Sequence, residues 1–209
     1  LGVGVAIFAL ARHAFFAEHI PLEYRARSLS LLGGTFRAGA FLGPLLGSVL
    51  IASFDVNSVF ALSAGVCAVS GLILLTAKPD VIRPTPVSKK GGIVATAKEN
   101  KKQLLTLGIG SAILGAVRTT RQVGLPLWAL LISLSPEETS LYIGLAGIID
   151  FALFYSSGQL MDRYGRFWAA VPPLIGLSVL HVLVFAVNDG TGFLLLCSLM
   201  ALANGLGSG

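Results

Sequence analysis

A chain of 209 residues that is 55% hydrophobic and only 12% charged cannot cover a globular surface with charge, since an ordinary soluble domain carries about 25% charged residues. Mean hydropathy is +0.83 and formal net charge +5. These figures exclude a soluble enzyme, a nucleic-acid-binding module and a disordered tail, and leave an integral membrane protein.

Seven apolar runs are each compatible with the ~20 residues that a helix needs to cross a bilayer. In chain order they are residues 1–17, 28–53, 57–77, 103–134, 139–161, 167–187 and 191–209. The first and last are cut short, so the chain reads as a piece of a longer polypeptide, with no signal peptide at its start. Three short linkers, around Asp55, around Glu137 and Glu138, and around Asp189, carry no Lys or Arg. The alternate linkers hold Arg12, Arg25 and Arg27, then Lys78, Arg83, Lys89, Lys90, Lys98, Lys101 and Lys102, then Arg163 and Arg166. Such strict alternation places the basic set in the cytoplasm by the positive-inside rule. A soluble bundle of buried helices has no reason to segregate charge in this way.

Residues 78–102 form the one long linker, with Pro79, Pro84, Pro86, Gly91 and Gly92 among its lysines. Proline and charge break the helical pattern there, leaving room for a surface helix near residues 93–102. The linker separates three spans in residues 1–77 from four in residues 103–209. Its lysines also suit anionic lipid headgroups. A weak repeat, Leu1-Gly2-Val3-Gly4-Val5-Ala6 against Asn204-Gly205-Leu206-Gly207-Ser208-Gly209, suggests repeated halves.

Four charges remain inside spans: Arg37, Arg118, Arg121 and Asp150. Each costs about 2.5–3.5 kcal/mol at mid-bilayer, so each should face protein or water. Arg118 and Arg121 share a helix face, and the following span brings Asp150 near one of them. The pair is either a structural link between two helices or part of a proton or substrate relay with Asp150 titrating. Gly115, Gln122 and Trp128 lie on the Arg118 face, and Gly147, Phe154 and Ser157 on that of Asp150, as candidates for lining a cavity. Arg37 lies one turn before a Gly-Pro cluster. His13, His19 and His181 form no ligand or triad spacing, and Cys67 and Cys197 no disulfide or metal pattern, so neither a metal nor a cofactor is expected.

Two local patterns carry more information. The turn Gly158-x-Leu160-x-Asp162-Arg163-x-Gly165-Arg166 joins two spans with almost no spare residues. From residue types alone, Gly165 permits a tight turn, Gly158 a close helix approach, and Asp162 can face a helix N-terminus. In the second pattern, Gly39-x-x-x-Gly43-Pro44-x-x-Gly47, glycines four apart line one helix face and Pro44 removes a backbone hydrogen bond.

The first pattern resembles the cytoplasmic signature of the major facilitator superfamily. Ile20-Pro21 to Arg25-Ala26-Arg27 resembles that family's loop between helices four and five. The second pattern is similar to the helix-five motif of its antiporters, with Ser48 in place of the last glycine. The resemblance implies an all-α membrane protein with a helical bundle of that family, seven transmembrane helices being present of an expected twelve and corresponding to helices four to ten. A fourteen-helix relative would carry two more spans where this chain has its polar linker.

The resemblance also implies function. The expected activity is proton-coupled efflux of a small amphipathic molecule by alternating access, with a uniporter or symporter of a small organic anion as the alternative. A seven-helix receptor or scaffold is the remaining, non-transporting reading. The expected partners are a small-molecule substrate, protons and the lipid bilayer, with no nucleic acid and no enzymatic activity. The full-length protein would be a monomer in the plasma (inner) membrane, with residues 78–102 and 162–166 cytoplasmic. Asp162 would lie near the start of the second span, around residues 27–31, and steady the outward-facing state.

Overall fold

The computed structural model describes residues 2–76, 98–164 and 166–207. Among them the chain runs through α1 (Gly2–His19), α2 (Leu22–Ser53), α3 (Asn57–Thr76), a short α4 (Lys101–Gln103) that leads through a π-helical turn (Leu104–Gly108) into α5 (Ile109–Leu131), then α6 (Pro136–Tyr164), α7 (Arg166–Leu183) with a 3₁₀ turn (Val184–Ala186), and α8 (Gly190–Leu206). Each of the seven apolar runs coincides with a helical rod. The main boundary shift is at α2, which begins at Leu22, immediately after Pro21. The basic turn containing Arg25 and Arg27 is therefore part of the helix. Of the surface helix expected near residues 93–102, Lys98 and Glu99 are helical, and residues 93–97 lie outside the described residues, as does most of the linker 78–102.

The three turns without Lys or Arg have a structural task in common: each starts a helix. At Ser135 the backbone N–H and hydroxyl both donate to Glu138 Oε2, at 3.1 and 3.0 Å, and the Glu138 N–H donates back to Ser135 Oγ at 3.1 Å. With Pro136 at the first helical position, this reciprocal box satisfies donors that the first turn of α6 leaves orphaned. Asp189 caps α8 by accepting from the Gly192 N–H, and the Asp55 carboxylate accepts from the Asn57 N–H before α3. Replacing Ser135 by Ala should cost about 1 kcal/mol of stability. A thermal unfolding scan in detergent should show the loss, with Ser135→Thr close to the unaltered protein.

The chain forms two compact units, residues Leu1–Val49 with Leu134–Gly209, and Leu50–Ser133. In the first, the core follows one stripe of α8: Phe193, Leu196, Cys197, Met200, Ala201, Asn204 and Gly205 are buried. Their spacing of three and four residues is the repeat of a single helix face. Ala146 of α6 and Leu177 of α7 are buried in the same unit. Outside that stripe the helices expose Leu195, Leu199 and Leu202, so the surface is apolar where a soluble protein would be charged. In the second unit Leu125 and Ala129 of α5 are buried, whereas α3 buries no residue and exposes Phe60, Leu72 and Leu75. A helix that is apolar all round and exposed all round suits lipid. Among the described residues, Leu31–Ser53 and Asn57–Thr76 are each long and apolar enough to cross a membrane unaided.

Candidate functional site

The site forms where α2, α6 and α8 of the first unit meet. Along α2, Gly33 faces Phe154, Arg37 faces Asp150, Phe41 faces Gly147, and Leu45 faces Gly144. As numbers rise on α2 they fall in step on α6, so the two helices run antiparallel with residues four apart on α2 forming the contact stripe. The close approach comes from the α6 glycines. A methyl group at Gly147 would lie 2.7 Å from Phe41 Cβ, and one at Gly144 2.7 Å from Leu45 Cδ2. The Phe41 and Phe151 rings close the same seam, with centroids 5.2 Å apart.

The charge on this stripe is paired. Arg37 Nε lies 3.6 Å from Asp150 Oδ1, and the two side chains are 17% and 13% exposed. The Arg37 guanidinium carbon is also 4.0 Å from the centre of the Phe154 ring. Gly33 makes room for that ring, since a methyl group there would stand 3.1 Å from Phe154 Cζ. From the other side, buried Asn204 of α8 donates its Nδ2–H to Asp150 Oδ2 at 2.7 Å. Gly205 lets α8 come this near: a methyl group there would lie 2.9 Å from Leu153 Cβ and 3.3 Å from the Asp150 carbonyl oxygen. One carboxylate thus joins three helices, through a cation on one and an amide on another.

Other sequence candidates fall as follows. Arg118, Arg121 and Trp128, all part-buried, stand on α5 in the second unit, on the face that also buries Leu125 and Ala129. Gln122 and Gly115 on that helix are exposed. The sequence offers Arg118 and Arg121 as partners for Asp150; Arg37 is a partner that it did not name. Gly39, Gly43 and Gly47 were expected to admit a neighbouring helix. Among the described residues, nothing stands within 4 Å of a methyl group placed at any of them. The α2–α6 contact uses the adjacent stripe, and Pro44 lies within α2. Of the turn between α6 and α7, Arg163 is exposed with its guanidinium 5.5 Å from the Tyr164 ring. Gly165 lies outside the described residues, as do the side chains of Ser157, Asp162 and Arg166 and the environment of Gly158. The three histidines each direct Nδ1 at a carbonyl four residues back, Ala9, Phe15 and Leu177 respectively.

Arg12, like Arg25 and Arg27, is placed in a linker by the sequence and in a helix by the structure. It lies within α1, with its guanidinium carbon 4.4 Å from the Phe36 ring centre and 5.9 Å from that of Phe8. Asn204 is the site residue that sequence reasoning missed. Its signal was a lone amide in an otherwise apolar span, which demands a partner in lipid.

An apolar helical chain with a charge cluster of this kind matches one family along its whole length. The sequence pattern of the Major Facilitator Superfamily matches residues 1–209. The chain belongs to the major facilitator superfamily. It is therefore an integral membrane protein of a transporter family. It is also similar to the multidrug resistance protein MdtH of Aeromonas hydrophila subsp. hydrophila, with 37% identity over 109 residues, which cover 51% of this chain and 27% of that protein. The match thus spans about a quarter of the length of that relative. No solved structure matches the chain.

Proposed function

We propose that the full-length protein is a proton-coupled exporter of small amphipathic molecules, a monomeric antiporter of the plasma membrane that works by alternating access. The observation that carries this reading is the Arg37–Asp150–Asn204 cluster. An acid at membrane depth, tied to a cation on a second helix and an amide on a third, couples its charge state to the packing of all three. Asp150 is the proton carrier and Arg37 its counter-ion. The Gly-Pro pattern of α2 and the likeness to a multidrug resistance protein support export. Arg118, Arg121, Gln122 and Trp128 are assigned to the substrate path, and Asp162 to holding the outward-facing state. The basic linkers lie in the cytoplasm.

A second reading, transport of a small organic anion, is favoured by Arg12. Its guanidinium is held on aromatic faces, and among the described residues its Nε is buried without a hydrogen-bond partner. An anionic substrate would supply that hydrogen-bond partner.

The test is flux into proteoliposomes holding the full-length protein under an imposed pH gradient, with ethidium, Nile red and 1-naphthoate as cationic, neutral and anionic probes. Export predicts gradient-dependent movement of at least one probe, abolished by a protonophore. Movement of naphthoate alone, unaffected by the protonophore, selects the second reading. No gradient-dependent flux of any probe overturns the antiporter.

A further inference from the structure

Phe154 and Asp150 both hold Arg37, and Asn204 and Arg37 both hold Asp150. The guanidinium lies 4.0 Å over the Phe154 ring, while its Nε is 3.6 Å from Asp150 Oδ1, beyond ordinary hydrogen-bond length. The tighter contact of the carboxylate is the 2.7 Å bond from Asn204 to Oδ2. We infer that Phe154 and Asn204 are positioning residues of the coupling pair: Phe154 is the face on which Arg37 stays when Asp150 is neutral, and Asn204 holds the Asp150 carboxyl in place in both charge states. This rests on the proposed proton coupling at Asp150.

The chemistry follows from which oxygen is engaged. Oδ2 accepts the Asn204 N–H, and the carbonyl oxygen of a neutral carboxyl still accepts that bond, more weakly than a carboxylate does. Proton uptake therefore forms an O–H bond at Oδ1, the oxygen on the Arg37 side. The proton comes from water on one side of the membrane and leaves to water on the other; no other bond forms or breaks. Neutralisation removes the charge attraction between Oδ1 and Arg37 but leaves the attraction between the guanidinium and the negative face of the Phe154 ring. The cation then has a partner in apolar surroundings at every stage of the cycle.

α2 brings Arg37, its other charged residues lying in its first two turns. α8 carries no charged residue. α7 carries His181, whose Nδ1 is directed at the Leu177 carbonyl, and begins at Arg166, whose side chain lies outside the described residues.

Two measurements on the full-length protein test the inference. The first is the infrared carbonyl band of the protonated carboxyl that disappears in Asp150→Asn. In Asn204→Leu this band should move to higher wavenumber, as an unbonded carbonyl does, and in Asn204→Ser it should stay near its original position. The second is transport of whichever probe the unaltered protein moves. Phe154→Leu should lower gradient-driven flux by about tenfold or more. Counterflow exchange, which needs no net proton movement, should fall several-fold less than the driven flux, and Phe154→Tyr should restore the driven flux. A merely structural role predicts equal loss of both kinds of flux. An unmoved band in Asn204→Leu, equal losses in Phe154→Leu, or no loss, overturns the inference. Persistence of driven flux in Asp150→Asn instead removes the proton reading beneath it.

Discussion

Replacing Asp150 by Ala is expected to destabilise the protein by about 3–5 kcal/mol, because it strands Arg37 in the seam between α2 and α6. A residual partner is the Phe154 ring, 4.0 Å from the guanidinium carbon. Such a contact is worth about 2 kcal/mol when desolvated, so the loss should fall toward the lower end of the range. Neutralising both members has a different outcome. In Arg37→Gln combined with Asp150→Asn no charge is buried, and the amide at 150 still accepts the Asn204 N–H. This double variant should recover to within about 1 kcal/mol of the unaltered protein. Gradient-driven flux, in contrast, should be absent from it. That dissociation separates the two roles that an intramembrane pair can have. A structural link predicts that stability and transport recover together, and a proton carrier predicts that only stability does. Thermal unfolding in detergent and flux on the same preparations decide it; a single Asp150→Ala variant as stable as the unaltered protein would show that the pair does not hold the seam.

The helices were legible in the sequence because lipid enforces them: backbone groups in a bilayer must bond within their own segment, so an apolar run of sufficient length has few alternatives to a helix. The starts of α6 and α8, set by Ser135 with Glu138 and by Asp189, fall a few residues before the apolar runs begin, because capping residues are polar. Asp150 and Arg37 were visible as charges out of place. Their pairing was not, because α2 and α6 are far apart in the chain. What decides the pairing is register: Phe41 against Gly147 and Leu45 against Gly144 bring Arg37 level with Asp150. That register depends on small residues in α6, Gly144 and Gly147, whereas the eye is drawn to the denser glycine pattern of α2.

The two glycine sets should accordingly respond to alanine with opposite signs. At Gly147 the new methyl group would meet Phe41 Cβ at 2.7 Å and Phe41 Cα at 3.1 Å, and the second of these is backbone that cannot swing aside. The helices must separate, at an overpacking cost of about 1–3 kcal/mol. Better helix propensity returns up to about 1 kcal/mol, so the net effect is a loss. At Gly43 nothing among the described residues lies within 4 Å of the methyl group, so the propensity term stands alone and stability should stay level or rise by about 0.5–1 kcal/mol. Unfolding scans of the two variants should therefore shift in opposite directions, and a Gly43→Ala variant that falls as far as Gly147→Ala would contradict this arrangement of the α2–α6 seam. Transport adds a second reading of the same pair. If α2 closes its glycine face against a helix only in another state of the cycle, Gly43→Ala will lose flux with no loss of stability. A glycine face that is open here has a role in transport only if some other state fills it, and that combination of results is what would show it.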